Sequence, residues 1–338
     1  MALADFQRID DFGDAAAEAK ACRNACALFD FSFLECVRLE GAGARDVIEA
    51  FTGRPLDALG VGNIRYALRV DAEGHAVADL TVWRTGLDSY EVMSGRCEDI
   101  VDLQCRAGPG LCITDIGSKT ATLALQGPGS LETLSRLGDV GAIEPLGYFS
   151  FSDAKLNGVE CRIGRLGYTG EPGFEIIVAK RHVRDLWQAM AAHARPAGFI
   201  AIDMLRIEAG FVLFSNEFRL PVAPAEAGLG NFHRSPPVAP QISLISFRAD
   251  AVALNWPWQP PRQLKRPEAP GEIVVTSACD SAFAGAVLGL GYALAGTQAG
   301  LHDPTGVFRN IRRTPMPFYD TAKRRARASW RSFRTKDG

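Results

Sequence analysis

Glu175 stands alone among Phe174, Ile176, Ile177 and Val178, in the stretch GRLGYTGEPGFEIIV that runs from Gly164 to Val178. An acid on so apolar a strand is tolerated in an interior only when something donates hydrogen bonds to it. An ionised carboxylate only accepts hydrogen bonds, so its partners must be donors. The loop before the strand is rich in glycine. Gly167, Gly170 and Gly173 permit positive φ and close backbone approach. Tyr168 adds an aromatic face and a hydroxyl.

A second group of charges sits in DMLRIEAG, where a helix is expected. Arg206 lies three residues after Asp203, close enough on a helix to pair with it. Glu208 is about 200° round from Arg206, so only one of the two is expected to point inward, and Arg206 is the candidate.

Other chemistries have less to stand on. GAGARD, GVGNIR and GLGNFH are fragments of a dinucleotide fingerprint, and none completes it between a strand and a helix. There is no GxxxxGK[ST] and no GxSxG, and the five histidines are scattered, with His182 and His193 on a helix and His75 in a turn. Nothing in the spacing argues for a Ser/His/Asp or Cys/His hydrolase. The eight cysteines include no CxxC pair, and Cys22 and Cys26 share a helix face without further ligands. No metal is expected, and the thiols read as small buried hydrophobes.

The elements that must position these residues follow from periodicity. Residues 15–27 read as a helix, LECVRLEG as a strand, and ARDVIEAFTG as a short helix stopped by Gly53. NIRYALRVDAEGHAVADLTVWR alternates about the turn DAEGH and predicts a hairpin, with SYEVMSG as a further strand. TATLALQGPGSLETLSRLG predicts a strand, a turn at Gly127 and Pro128, and a helix. HVRDLWQAMAAHA places Val183, Leu186, Trp187 and Met190 on one helical face. Strands mixed with interspersed helices indicate an α+β fold. Prolines cluster from about Ser235, which predicts an extended connector and a domain boundary.

A chain of 338 residues, 47% hydrophobic and 22% charged, is expected to fold as two or three packed units. A net charge of −2 gives no case for nucleic acid. No apolar run approaches the roughly 18 residues of a membrane span. The opening MALADFQRIDDFGD is acidic and lacks a signal-peptide core, so a cytoplasmic location is expected. From Arg309 to Lys336 ten cationic residues face one acid, Asp320, and a solvated basic tail is expected there.

Taken in order, ALFDFSFLECVRLEG, RYALRVDAEGHAVADLTVW, LALQGPGS, GYTGEPGFEI, DMLRIEAGFVLFSNE and PAEAGLG resemble the aminomethyltransferase family, which comprises the T-protein of the glycine cleavage system and related demethylases. GEIVVTSACDSAFAGAVLGLGYA is similar to the family's small β domain. The resemblance implies a T-protein-like cloverleaf of three units around a channel for tetrahydrofolate, with a small C-terminal β-barrel domain. It implies a folate-binding portion of two interleaved lobes over 1–235, a Pro-rich connector over 236–265, the β domain over 266–320 and the basic tail over 321–338. It also implies that Glu175 hydrogen-bonds the pterin ring. Tyr66, Ser94, Tyr168, Asp203 and Phe211 join it at the cofactor site, with Asp79 as the candidate catalytic residue.

Two positions depart from the family's pattern. Its GGxxDDL reads GHAVADL here, so Ala78 replaces the first aspartate and Asp79 matches the second. Its ARD reads AID, so Ile202 replaces an arginine. Adjacent strand residues point to opposite faces, so Asp79 is expected to serve the site only if a bulge near the Gly74 turn re-aims it. The function implied is a tetrahydrofolate-dependent one-carbon transferase acting on a small methylated or aminomethyl donor. A carrier protein is a partner if the chemistry is of the glycine-cleavage kind. The alternative is a folate-binding protein without turnover, in a regulatory or accessory role.

Overall fold

The structure, a computed structural model, describes residues 8–234, 239–251 and 256–333. Helix α1 (Ala15–Asn24), capped by the Asp14 side chain accepting from the amide of Ala17, leads into β1 (Ala27–Asp30). The chain then leaves that sheet for another, built from β2 (Glu35–Glu40), α2 (Ala44–Thr52), β3 (Ile64–Val70), β4 (Ala76–Arg84), β5 (Ser89–Ser94), α3 (Cys97–Gln104) and β6 (Cys112–Asp115). Its order is β3-β4-β5-β2-β6, antiparallel throughout. Helix α2 stops where Gly53 takes a left-handed φ of 60°, the ending its sequence predicts.

The chain returns to the first sheet with β7 (Thr120–Gln126), α4 (Ser130–Ser135), β8 (Phe151–Leu156), β9 (Val159–Gly164), β10 (Gly173–Ala179), α5 (Val183–Ala191) and β11 (Arg195–Pro196). The order there is β11-β1-β7-β10-β9-β8, with β1 and β11 parallel and the other pairs antiparallel. A complete second sheet thus separates β1 from its neighbours in sequence.

The pleat of β10 sorts its residues. Phe174, Ile176 and Val178 face a core that also holds Leu123, Leu125 and Ile163, covered by Val183, Leu186, Trp187 and Met190 of α5. Full burial of each large apolar side chain contributes about 1.5–3 kcal/mol. The opposite face carries Glu175 and Ile177, and Ile177 packs with Trp83 and Met93 of the second sheet.

Helix α6 (Phe199–Glu208) and the short α7 (Phe214–Glu217) lead to a third, antiparallel sheet. It holds β12 (Ile242–Ala251), β13 (Ile273–Ser281), β14 (Ala286–Leu294) and β15 (Phe308–Arg313) in the order β13-β14-β12-β15. Two sequence expectations change here, and a third falls where the structure describes no residue. The stretch read as a connector over 236–265 contains β12, because prolines on both sides mask an alternating ISLISFRADA. The boundary placed at 235 and 236 lies outside the described residues. The sheet is open and does not close into a barrel: its edge strands β13 and β15 do not pair, and α6 packs against β13 and β14. Four strands are too few to enclose a core, and the helix covers the face that closure would have sealed.

The basic tail is largely exposed but anchored at two points. Trp330 is buried and stacks on Phe174 with ring centroids 4.9 Å apart. Arg325 pairs with the buried Glu171 at 2.8 Å. Two anchors that composition hides, one aromatic and one complementary acid, hold the segment down; residues 334–338 lie outside the described set. Among the described residues no helix is long and apolar enough to cross a membrane.

Candidate functional site

A cavity of about 970 Å³ opens where the three sheets meet. Ile64, Tyr66, Asp79 and Thr81 line it from the second sheet, Glu175 from the first and Leu244 from the third. Aromatic side chains supply much of the wall, among them Phe31, Tyr168 and Phe211.

Glu175 is buried, and no described residue donates a hydrogen bond to it. Its register explains this: its partners across the sheet are Ala124 on β7 and Gly164 on β9, which offer no side-chain donor. Burial pushes its carboxyl up to about 7. Tyr148, on the same wall, lies near enough to feel the Glu175 charge. A buried acid without an internal partner, aimed into a cavity, is arranged for a donor from outside the chain.

The preceding loop has a different logic from the one its glycines predict. A side chain at Gly167 or Gly173 would collide with that of Gln126, whose amide donates to the carbonyls of Leu166 at 3.1 Å and Phe174 at 3.3 Å. Thr169 returns a bond to Gln126 Oε1 at 3.0 Å. Of the three glycines only Gly170 has a positive φ, 79°. The close approach is to a buried amide that organises the loop. Gln126 went unnoticed in the sequence because LALQGPGS reads there as strand and turn. Tyr168 lies in the wall with its ring stacked on Phe211 at 5.8 Å, but its hydroxyl is already donated to the Val212 carbonyl.

Asp79 faces the cavity from β4 and accepts a hydrogen bond from Tyr66 Oη at 3.2 Å. Burial pushes its carboxyl up to about 6, and the Tyr66 hydroxyl acts against that rise. The anticipated bulge exists: register shifts between Arg69 and Val70, leaving Val77 extra on β4. Beyond it Asp79 pairs with Leu68 and Ala78 with Arg69, so the two residues point to opposite faces. Ala78 is buried and turned away from the cavity, on the face where Arg69 meets Phe51 and Asp102. The missing acid at 78 therefore removes no carboxylate from the cavity wall.

Two residues expected at the cofactor site are elsewhere. Ser94 is buried and donates to Asp99 at 2.6 Å, while its neighbours Met93 and Gly95 reach the wall. Asp203 is bonded by Arg206 Nε at 2.8 Å and does not line the cavity. Arg206 also meets Glu217 at 3.1 Å and donates to Ser277 at 2.6 Å, tying α6 to α7 and the third sheet. Burial alone would lower the Arg206 pKa; Asp203 and Glu217 outweigh it and hold the guanidinium charged. Glu208 is buried as well, contrary to the expectation that one of the pair faces solvent. It meets Arg23 at 2.7 Å and accepts from Ser281 at 2.6 Å. Helix α6 is covered on two sides, by α1 and by β13, so residues on nearly opposite faces are both interior. Ile202 packs with Phe31 and Leu205 and brings no charge to the site.

The C-terminal segment contributes a wall that sequence did not reveal. Met316, Pro317, Tyr319, Lys323 and Arg327 line the cavity, with Lys323 above the Phe211 ring at 5.9 Å and Arg327 over Tyr148 at 5.8 Å.

The chain is 32% identical over 225 residues to an aminomethyltransferase of Caldanaerobacter subterraneus subsp. tengcongensis, covering 64% of this chain and 60% of that protein. It is 34% identical over 234 residues to an aminomethyltransferase of Geobacillus kaustophilus, covering 63% and 61% respectively. It therefore spans about three fifths of the length of these relatives. In fold it matches the glycine cleavage system aminomethyltransferase T of Bartonella henselae with a TM-score of 0.77, at 21% identity over 95% of this chain and 94% of that one. The model of the GCVT N-terminal domain matches residues 3–235, well over half of the sequence, and the chain belongs to the aminomethyltransferase family.

Proposed function

We propose that the cavity binds a reduced folate and that the protein transfers a one-carbon unit between it and a small aminomethyl or methylated donor. The observation that carries this reading is Glu175, a buried carboxylate without an internal partner, set in an aromatic cavity. The fit is chemical. One edge of a pterin presents two parallel N–H donors, which an ionised carboxylate accepts in a matched pair. Tyr168 and Phe211 offer flat surfaces for the ring. When bound, tetrahydrofolate supplies nucleophilic nitrogens that accept the one-carbon unit.

The chain's own residues do the rest. Glu175 orients the cofactor. Asp79, held by Tyr66 and titrating near 6, carries its charge at neutral pH and exchanges a proton at little cost there. A cavity walled by three sheets holds donor and acceptor together, which for a reaction with its own nucleophile supplies much of the rate. The donor is a small molecule, or the aminomethyl arm of a carrier protein in chemistry of the glycine-cleavage kind. Turnover is favoured over binding alone because Asp79 occupies the wall and the loss at Ala78 lies behind it.

The test begins with tetrahydrofolate titrated into the purified protein by calorimetry, followed by a screen of methylated amines, sulfonium and methoxy compounds for methyl- or methylene-tetrahydrofolate. Glu175→Gln replaces one acceptor by a donor while keeping the shape. A hydrogen bond to a charged group contributes about 1.5–3 kcal/mol, so affinity is expected to fall roughly 10- to 150-fold. Unchanged affinity in a folded variant would remove Glu175 from the pterin site.

A further inference from the structure

Many partly or fully buried arginines of this protein are matched by a carboxylate. Arg23 meets Glu171 and Glu208, Arg69 meets Asp102, Arg162 meets Glu91 and Asp153, and Arg206 meets Asp203 and Glu217. Arg54, Arg65, Arg84 and Arg165 are not so matched among the described residues, and of these four only Arg54 and Arg65 line the cavity. Both are half-buried. Their hydrogen bonds go to backbone carbonyls, from Arg54 to Tyr66 and from Arg65 Nη1 to Pro55 at 3.2 Å. Asp79, on the adjoining strand, is engaged by Tyr66 and not by either arginine.

The two side chains are also anchored to neighbouring backbone. Arg65 bonds the residue next to Arg54, and Arg54 lies over the Phe232 ring at 4.9 Å, the ring that Tyr66 meets edge-on at 5.0 Å. Burial, and then the charge of Arg65, pull the Arg54 pKa below its ordinary value. The imidazole of His233 packs against Gly53, immediately before Arg54. Two like charges in a partly desolvated wall repel one another, and an anion seated between them offsets both the repulsion and the desolvation. Each guanidinium has five N–H donors in a planar fork, most of them unused here, and that fork matches a carboxylate.

We propose that Arg54 and Arg65 form a carboxylate-binding subsite where the edge strand β3 borders the cavity, which takes the anionic end of a small ligand. Whether that end belongs to the one-carbon donor or to the glutamyl tail of the folate rests on the function proposed above; the preference for a carboxylate does not. Lys323 and Arg327 line the wall from the C-terminal segment and are exposed, so the subsite is defined by the two half-buried arginines.

Calorimetric titration of four probes separates the outcomes. Tetrahydrofolate is compared with tetrahydropterin, which lacks the glutamyl tail, and N,N-dimethylglycine with N,N-dimethylethylamine, which lacks the carboxylate. Arg54→Gln and Arg65→Gln are expected to weaken binding of a carboxylate probe by about ten- to a hundredfold while leaving its uncharged-ended counterpart unchanged. Arg65→Lys should retain most of the affinity. A loss confined to dimethylglycine assigns the subsite to the donor, and a loss confined to tetrahydrofolate assigns it to the tail. Arg54 also braces the Tyr66 carbonyl, so Arg65→Gln, whose one bond is to Pro55, carries the test if Arg54→Gln does not fold. Should tetrahydropterin fail to bind the parent while the arginine effect on dimethylglycine persists, the folate reading falls and the subsite stands. Folded variants that bind all four probes as the parent does would overturn it, as would a parent with no preference for the carboxylate member of either pair.

Discussion

At the scale of single residues, the two cavity acids make opposite demands on stability and on binding. Glu175 titrates near 7 in the folded protein, above the ordinary carboxylate range, because burial disfavours its charge. An acid whose folded pKa is raised stabilises the fold at low pH, and that stabilisation is lost as pH rises through the folded value. Without ligand, the parent should lose on the order of 3 kcal/mol from this group between about pH 4.5 and 8. Glu175→Gln should therefore melt higher than the parent at pH 8 even though it binds folate less well. Folate affinity should run the other way, falling about tenfold per unit below pH 7 in the parent and staying flat in the variant. A parent whose affinity does not change from pH 5.5 to 8 would mean that the ionised form is not what the ligand meets. Asp79→Asn should cut turnover at least a hundredfold while leaving the folate dissociation constant within a few-fold, measured by steady-state kinetics beside calorimetry. A large loss of affinity with unchanged turnover would recast Asp79 as a binding residue. Glu175 was legible in the sequence because an acid in an apolar strand is a local anomaly. Ser94 and Asp203 were misplaced because the resemblance gives positions, whereas the direction of a side chain depends on neighbours such as Asp99 and Arg206 that lie in other elements.

At the scale of elements, periodicity predicted α1, α2, α5 and the β3–β4 hairpin closely, since each carries its own pattern and stop signal. Helix α6 was only half readable. Its 3.6-residue period separates Arg206 from Glu208, but the period cannot reveal that protein lies on both sides. The third sheet supplies Ser277 to one residue and Ser281 to the other, from positions some seventy residues away in sequence. Arg206 is the strongest test of this packing. Replacing it with Met leaves Asp203 and Glu217 buried without their cation, and removing one partner of a buried pair costs about 3–5 kcal/mol. The urea midpoint of Arg206→Met should fall accordingly. A change below about 1 kcal/mol would show that the network adds little to stability.

For the whole molecule, the mixed α/β fold agrees with what the resemblance implied, whereas the third sheet is open. Charge counting treated the tail as solvated because ten cations outweighed a single hydrophobic anchor. Trp330 nonetheless docks on Phe174 in the first sheet, and Arg325 reaches Glu171. Truncating a buried Trp costs about 3–5 kcal/mol, much of which would appear here as local release. Trp330→Ala should expose the segment after Tyr319 to protease and weaken folate binding together. Protease resistance equal to the parent's would show that other contacts hold the segment.

The same wall separates two things that active sites usually keep together. Asp79 and Glu175 fall within residues 3–235, the part that the family model covers, whereas Leu244, Met316, Tyr319, Lys323 and Arg327 enclose them from outside it. Part of the enclosure is thus written in a different stretch of the chain from the two acids. That stretch can change its lining, and with it the shape and charge of the cavity, without altering Asp79 or Glu175. Exchanging that stretch between related proteins would be a direct way to move donor preference while conserving the reaction, and drift confined to it would give lineages of enzymes that share a mechanism and differ in diet.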